Sequence, residues 1–388
     1  VSDPRWNRLV CGEMGRSLGA FDGRGSVVGA LKGPRGMAVD ERDRLYVADT
    51  GNDRIVVMQA TTEFDRIELV PLYTIPNLSG PYDVAYSDGG TPFQAEDDLL
   101  YVADTGRNRV GAYALSSSGA RLLGFVGELG SGAGYFAGPT ALTVGRADGV
   151  NTPDVFVADA HNGRLVHLRL QRGGLRWVGE APTGAGVVTS LDTDQWGNLY
   201  AAAPQQGVVR KFNPDLEPVA DLRAAIARPK SFRIPYTTVR DHRDGSVTRQ
   251  GQPSAFSVDQ WADASGLRQW NLGLGIDRLA VTDDAAPAAQ FLLTDRGAVS
   301  LEISDPANGR VISRRDIGTL AAGQHSVTLT DADVAGVQGP SDLVLRLTAA
   351  SGYRGVGSVA ASANFRSQGG SAVALPSRPV LLGNWPNP

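Results

Sequence analysis

Cysteine is almost missing from this sequence: Cys11 stands alone in 388 residues. That excludes an internal disulfide and a thiolate metal cluster. Histidine is nearly as scarce, at His161, His167, His242 and His325. No H-E-x-x-H, no metal-spaced histidine pair and no G-x-S-x-G elbow occurs, so no catalytic residue, metal ligand or cofactor site is assigned. Lysine is confined to Lys32, Lys211 and Lys230, and the rest of the positive charge is arginine. With both signs mixed along the chain and a net charge of −4, there is no basic stripe of the kind a nucleic-acid surface needs. The arginine excess reads as compositional bias rather than phosphate binding. No run approaches the roughly 18 apolar residues of a membrane helix. The longest, such as Leu99–Ala103, have strand length, so no membrane insertion is expected. The opening Val1-Ser-Asp-Pro-Arg5 carries no basic and apolar leader, which suggests a processed end of a secreted chain.

What the chain does have is turns and repetition. Forty-eight glycines and 22 prolines point to many short strands. Leu45-Tyr-Val-Ala-Asp-Thr-Gly-Asn-Asp-Arg54 recurs as Leu100–Arg109 and as Val155–Arg164, with a worn copy from Leu199 to Phe212. A second signature precedes each copy. Pro34-Arg-Gly-Met-Ala-Val39, Pro81–Tyr86 and Pro139–Val144 share one pattern, and Val188–Thr193 and Pro229–Ile234 keep its alternation. A proline-started strand, a turn and an apolar strand give one antiparallel sheet per repeat. Such a sheet cannot bury both faces alone, and radial stacking solves this.

The pattern P-x-G-M-A-V-D…LYVADTGN-x-R resembles the NHL repeat, over about 30–270. The resemblance implies a β-propeller over residues 1–275, with six blades as the expectation and five as the alternative. The segment Trp6–Cys11 is expected to complete the last blade and close the ring. Asp49, Asp104 and Asp159, with Arg54, Arg109 and Arg164, recur at one place in each unit and so read as architectural. The aspartate is expected to accept bonds from the backbone of its own turn, and the arginine to pair with carboxylates of a neighbouring blade. Inner-strand positions are dominated by Met37, Val39, Val84, Leu142 and Val144, poor chemistry for an axial metal. Asp192–Asn198 reads as an ordinary Asp/Gly turn rather than a calcium loop. The pairs Asp97-Asp98 and Asp283-Asp284, and the exposed-looking His161 and His325, read as solvated. Trp261 and Trp270 read as packing aromatics. Loops 87–98 and 145–153 and the hairpin 235–253 are the candidate contact surface.

From about residue 276 the period becomes plain strand alternation, with strands at 276–281, 289–293, 299–303, 311–312, 325–329 and 343–347. Ninety such residues, 276–365, suggest an immunoglobulin-like sandwich. With Gly309-Arg310 and Ala322-Gly-Gln-His325, this stretch resembles the flagellar hook-cap type of bacterial secreted proteins. Residues 366–388 read as a linker and extended tail. Its Val380, Leu381, Leu382 and Trp385 form an orphan strand suited to an exposed sheet edge on another copy. The expectation is therefore an all-β, extracellular, non-catalytic binding or structural protein. Its partner would be a protein or glycan at the cell surface, or further copies in a fibre. The alternative is a metal-dependent hydrolase or lyase on the propeller axis.

Overall fold

The computed structural model describes every residue except 13–17, 64–65, 92–93, 173, 224–227, 241–246, 252–253, 261–264, 283–286, 354–355, 369–371 and 374–388. The described chain is built from strands, with only short 3-10 turns between them. It divides into two compact units. The first comprises Val1–Arg210, Asp221–Gly251 and Phe256–Gln269. The second comprises Lys211–Ala220, Gln252–Ala255 and Trp270–Pro388.

Four successive sheets are four-stranded antiparallel meanders in chain order. Sheet one holds Pro34–Val39, Arg44–Asp49, Arg54–Glu63 and Arg66–Ile75. Sheet two holds Asp83–Ser87, Leu99–Asp104, Arg109–Leu115 and Ala120–Val126. Sheet three holds Pro139–Ala147, Val150–Asp159, Arg164–Gln171 and Gly174–Pro182. Sheet four holds Ser190–Thr193, Leu199–Ala203, Val208–Phe212 and Pro218–Arg223. Sheet five orders Pro229–Arg233, Ser254–Gln260 and Ser265–Asn271, with the hairpin Tyr236–Arg240 and Val247–Gly251 set between its first two strands in sequence. The second strands carry almost unbroken buried runs, as in Tyr46-Val-Ala48 and Leu100–Ala103. This is what sheets covered on both faces require. Apolar clusters fill the space between successive sheets: Tyr46, Ile55 and Val57 meet Val84, Leu100 and Val102, and Tyr101 and Val110 meet Leu142 and Val155.

The N-terminal segment departs from expectation. Arg8–Cys11 lies between Ser2–Asp3 and Gly19–Phe21 in a three-stranded sheet of its own. Both of its edges are occupied by local strands, so it adds to no later sheet. Trp6 is largely exposed.

The first strands of successive sheets approach one another closely. Gly36 donates its N–H to Tyr82 O at 2.9 Å. A Cβ on Gly36 would come within 2.0 Å of Asp83 Oδ1 and 2.5 Å of Asp83 Cα. Only glycine fits there, for reasons of space rather than of dihedral angle.

In the second unit, Ile276–Val281, Ala288–Leu293 and Gly323–Thr328 form one sheet. Val311–Leu320, Gly297–Ser304, Pro340–Ser351, Ser358–Gln368 and Ala372–Val373 form another. Phe291 and Leu293 of the first sheet pack with Leu301, Ile303, Leu345, Leu347 and Phe365 of the second in one apolar core. The strand expected at 311–312 extends to Leu320. His325, expected to face solvent, is half-buried. Its Nε2 lies 2.8 Å from Ala321 O and its ring packs on Phe291.

Gly36→Ala is expected to destabilise the protein by about 1–3 kcal/mol, as overpacking of a closed interface does. Gly119→Ala, where an added Cβ meets nothing within 4 Å, should stay within about 0.5 kcal/mol of the parent. Urea denaturation of the two variants checks both.

Candidate functional site

One end of sheets one, two and three is organised by the same turn. Asp49 ends a strand, a 3-10 turn follows over Thr50–Asn52, and Asp53 takes a left-handed φ of 55° before Arg54. Asp49 is fully buried, so its charge must be met inside the protein. Its Oδ1 accepts from Lys32 N–H at 2.7 Å, and its Oδ2 from Asn52 Nδ2 and Arg54 Nε, both at 2.8 Å. Asp104 repeats this with Ser79 N–H and Arg109 Nε, and Asp159 with Ala137 N–H, Asn162 Nδ2 and Arg164 Nε. Two expectations are corrected. The backbone partner is the residue two before the sheet's opening proline, not an amide of the aspartate's own turn. The arginine pairs with the aspartate of its own repeat, because both flank one tight turn and face the same way.

The turn also reaches forward. Asp53 Oδ1 accepts from Gly80 N–H at 2.7 Å and Asn108 Oδ1 from Gly138 N–H at 2.8 Å. Thr50 and Thr105 donate their hydroxyls to the carbonyls of Pro81 and Pro139. The first two turns therefore hold the entry strand of their own sheet and that of the next, whereas the third has Ala160 and Gly163 at these places and neither side chain can make such bonds. The N-terminal sheet carries a copy that sequence reading missed. Arg8 Nε donates to Asp3 at 2.9 Å, and Asn7, with φ 53°, accepts from Gly33 N–H. The signal was there, since Val1-Ser-Asp3…Asn7-Arg8-Leu-Val10 has the spacing of Val47-Ala-Asp49…Asp53-Arg54-Ile-Val56.

The repeats differ in what closes the far edge of the arginine. Arg164 Nη1 donates to Ser131 O and Glu180 Oε2, and its Nη2 to Gly132 O and Tyr135 O. Glu180 sits opposite Val166, two residues beyond Arg164. In sheet two the corresponding register places Phe125 opposite Gly111, two residues beyond Arg109. The Phe125 ring lies over Gly111, where a Cβ would approach it to 2.7 Å. The Arg109 guanidinium rests on that ring, 3.5 Å from its centroid. Among the described residues, no oxygen bonds the terminal nitrogens of Arg109. They face a groove of about 660 Å³ lined by Arg107, Phe125, Glu128 and Tyr135, together with Gly127 and Gly134.

The first strands carry charge that sequence reading missed. Asp83 and Asp192 are buried there, among the apolar positions expected. Asp83 Oδ2 accepts from Leu142 N–H of sheet three at 3.0 Å, and Asp192 Oδ2 from Ile234 N–H at 2.9 Å. Arg146 donates to Thr193 O at 2.7 Å, lies 3.5 Å from Asp192 and covers the Tyr236 ring. Asp83 stands one place after Tyr82 in the signature, where sheets one and three have Gly36 and Ala141. That irregularity was legible. Burial pushes its carboxyl up to about 6, with the Asp192 charge adding and the Arg233 charge and the Leu142 and Val84 amides opposing.

Loop 145–153 is the tip of a hairpin longer than the first hairpin of sheet one. The strands of sheet three run to Ala147 and from Val150, joined by Asp148-Gly149, both left-handed. A Cβ on Gly90 would lie 3.2 Å from Asn151 O, which places loop 87–98 against that tip. Asp98 is buried rather than solvated: Arg42 pairs with it at 2.8 Å and the Tyr86 hydroxyl donates to it. Asp194 Oδ1 accepts from Trp196 and Asn198 N–H groups within the Asp192–Asn198 turn. His161 is exposed. His167 Nε2 lies 2.6 Å from Asp154 Oδ1, which also takes Arg169 Nε. Burial acts to raise the Asp154 carboxyl, but the bonds and charges of His167 and Arg169 override it and hold it at about 2. Trp270 is buried. Trp261, His242, Asp283, Asp284, the hairpin tip 241–246 and the tail residues Val380, Leu381, Leu382 and Trp385 lie outside the described residues. Among the described residues no group of three or more His, Cys, Asp or Glu side chains could hold a metal ion. No helix among them is long and apolar enough to cross a membrane.

Residues 31–58, the opening and first half of sheet one, match the NHL repeat. No curated protein matches the sequence. Among solved structures, a catalytically inactive virginiamycin B lyase from Staphylococcus aureus with quinupristin is similar at 12% identity and a TM-score of 0.40, over 74% of this chain and 85% of that one. A protein from Lactobacillus plantarum is similar at 15% identity and a TM-score of 0.38, over 81% and 92%.

The raised carboxyl of Asp83 gives a pH prediction. A group whose native value is raised from 3.8 to about 6 adds stability below the lower value and loses it as pH climbs through the higher one. The parent should therefore lose about 2–3 kcal/mol through Asp83 between pH 4 and pH 6.5. Asp83→Asn, which keeps an acceptor for Leu142 N–H, should lack that component. Urea midpoints for both proteins across this window check it, and identical slopes would count against the assignment.

Proposed function

We propose that this chain is a recognition module rather than a catalyst. In this reading the N-terminal sheet and the five sheets that follow are the six blades of an NHL-type propeller. The second unit is an immunoglobulin-like sandwich of the hook-cap type, whose second sheet takes in Ser358–Gln368 and Ala372–Val373, where a linker from residue 366 was expected. The chain acts outside a bacterial cell, on a protein or glycan at a surface, and takes no cofactor or nucleic acid.

One observation carries the reading. The buried charges on the first strands are engaged with neighbouring strands, whereas the Arg109 fork opens onto solvent in a groove floored by Phe125. A lyase or hydrolase on the axis would need an acid, a base or a metal facing a substrate cleft. Asp83 and Asp192 instead hold the amides of Leu142 and Ile234. A shallow groove that joins an aromatic floor, cationic donors and a carboxylate rim suits ligand contact. Fibre formation through the tail is the weaker version. The edge strand Val311–Leu320 carries Arg314, Arg315 and Asp316 and two register shifts against its neighbour, devices that blunt open-ended strand pairing.

The test is to probe arrays of synthetic peptides and oligosaccharides with the labelled 388-residue chain. Saturable binding to a discrete set, weakened by Arg109→Gln, is expected. Binding to neither class, or turnover of an array member, would overturn the reading.

A further inference from the structure

The repeats of the first unit supply their own comparison for the open arginine. Arg164 shows what an arginine at this position takes when its outer edge is closed: one carboxylate oxygen, from Glu180, and three backbone carbonyls of Ser131, Gly132 and Tyr135. All four are oxygens of a glycine-rich peptide and an acidic side chain. A planar guanidinium presents its donors in a fixed fork that matches such a set. Arg109 has the same Asp partner and the same turn, but Phe125 replaces the acid.

We propose that the Arg109 groove binds an acidic peptide segment of a partner protein, whose carboxylate takes the place that Glu180 holds beside Arg164 and whose backbone carbonyls take the place of residues 131–135. The inference rests on the recognition reading above and names its ligand class. Phe125 shields one face of the guanidinium, which strengthens its bonds at the exposed edge. Arg107 stands beside it, held by its Nη1 bond to Asn77 O at 2.6 Å. Tyr135, 45% exposed and lining the groove, gives the rim the apolar surface that a side chain of the peptide would cover. Glu128 lies at the same rim and sets the direction, since a carboxylate placed beside it is repelled and one placed on Arg109 is not. Arg54 is open in the same way, but Thr74 is its counterpart to Phe125, with neither acid nor ring.

The test uses the full chain and two synthetic probes, acetyl-Gly-Ser-Gly-Ala-Gly-Glu amide and its glutamine analogue, measured by calorimetry. The glutamate peptide should bind saturably, weaken with added salt, and exceed the glutamine peptide by at least about tenfold. Phe125→Glu should abolish binding, because it gives Arg109 an internal carboxylate as Glu180 gives Arg164, while leaving thermal stability at or above that of the parent. Should that variant fold poorly, Tyr135→Ser at the exposed rim should weaken binding at least about threefold without loss of stability. Equal affinity for the two peptides, or binding unchanged in Phe125→Glu, would overturn the proposal. An uncharged oligosaccharide that binds the parent and not Phe125→Glu would also overturn it, by placing a glycan in the groove. Array binding that survives Phe125→Glu would remove the groove but keep the recognition reading, and no binding to any array member would remove both.

Discussion

A carboxylate that cannot reach water organises the first three repeated sheets. Asp49, Asp104 and Asp159 are each fully buried, and each folded sheet must meet that charge with donors fixed in place. The donors chosen are the amide at the entry of the sheet's own first strand and the Nε of the following arginine. The adjoining left-handed residue, Asp53 or Asn108, then captures the entry of the next sheet. The hold on each strand entry and the commitment of one edge of the arginine both follow from this one demand. The apolar clusters between sheets contribute more area, but area alone does not set register.

The same demand accounts for the difference between structural and available arginines. One edge of every such arginine is committed to its aspartate, and the other is left to local circumstance. Sheet three closes it with a loop and Glu180; sheet two leaves it open over an aromatic ring. Two differences, the loop carbonyls of residues 131–135 and glutamate in place of phenylalanine at matching register, separate the closed arginine from the open one. Repeated sheets can diversify in this manner because each is secured by its own turn and tolerates change at its outer strand.

Much of this was legible in the sequence, and what was missed has identifiable causes. The repeats, the strand assignments and the recurrence of Asp and Arg came from spacing alone. The partners of those residues did not, because the amides of Lys32, Ser79 and Ala137 lie 17 to 25 residues upstream and backbone donors leave no mark in a side-chain pattern. The Asp3–Arg8 copy was passed over because its proline and tryptophan replace the usual threonine and asparagine of the turn. Asp83 and Asp192 broke the apolar pattern of the first strands visibly, but only the close approach of those strands shows what they bond. Phe125 gave no signal, since its meaning depends on the register that sets it against Gly111.

We hold that the buried aspartate fixes the strand entries, a claim that amide hydrogen exchange tests. The Ser79 amide sits in a loop, outside any strand pair, yet it donates to Asp104 at 2.6 Å. It should exchange as slowly as the amides of Leu99–Asp104, and should become fast in Asp104→Ala while the strand amides stay protected. A Ser79 amide that exchanges at loop rates in the parent protein would contradict the claim.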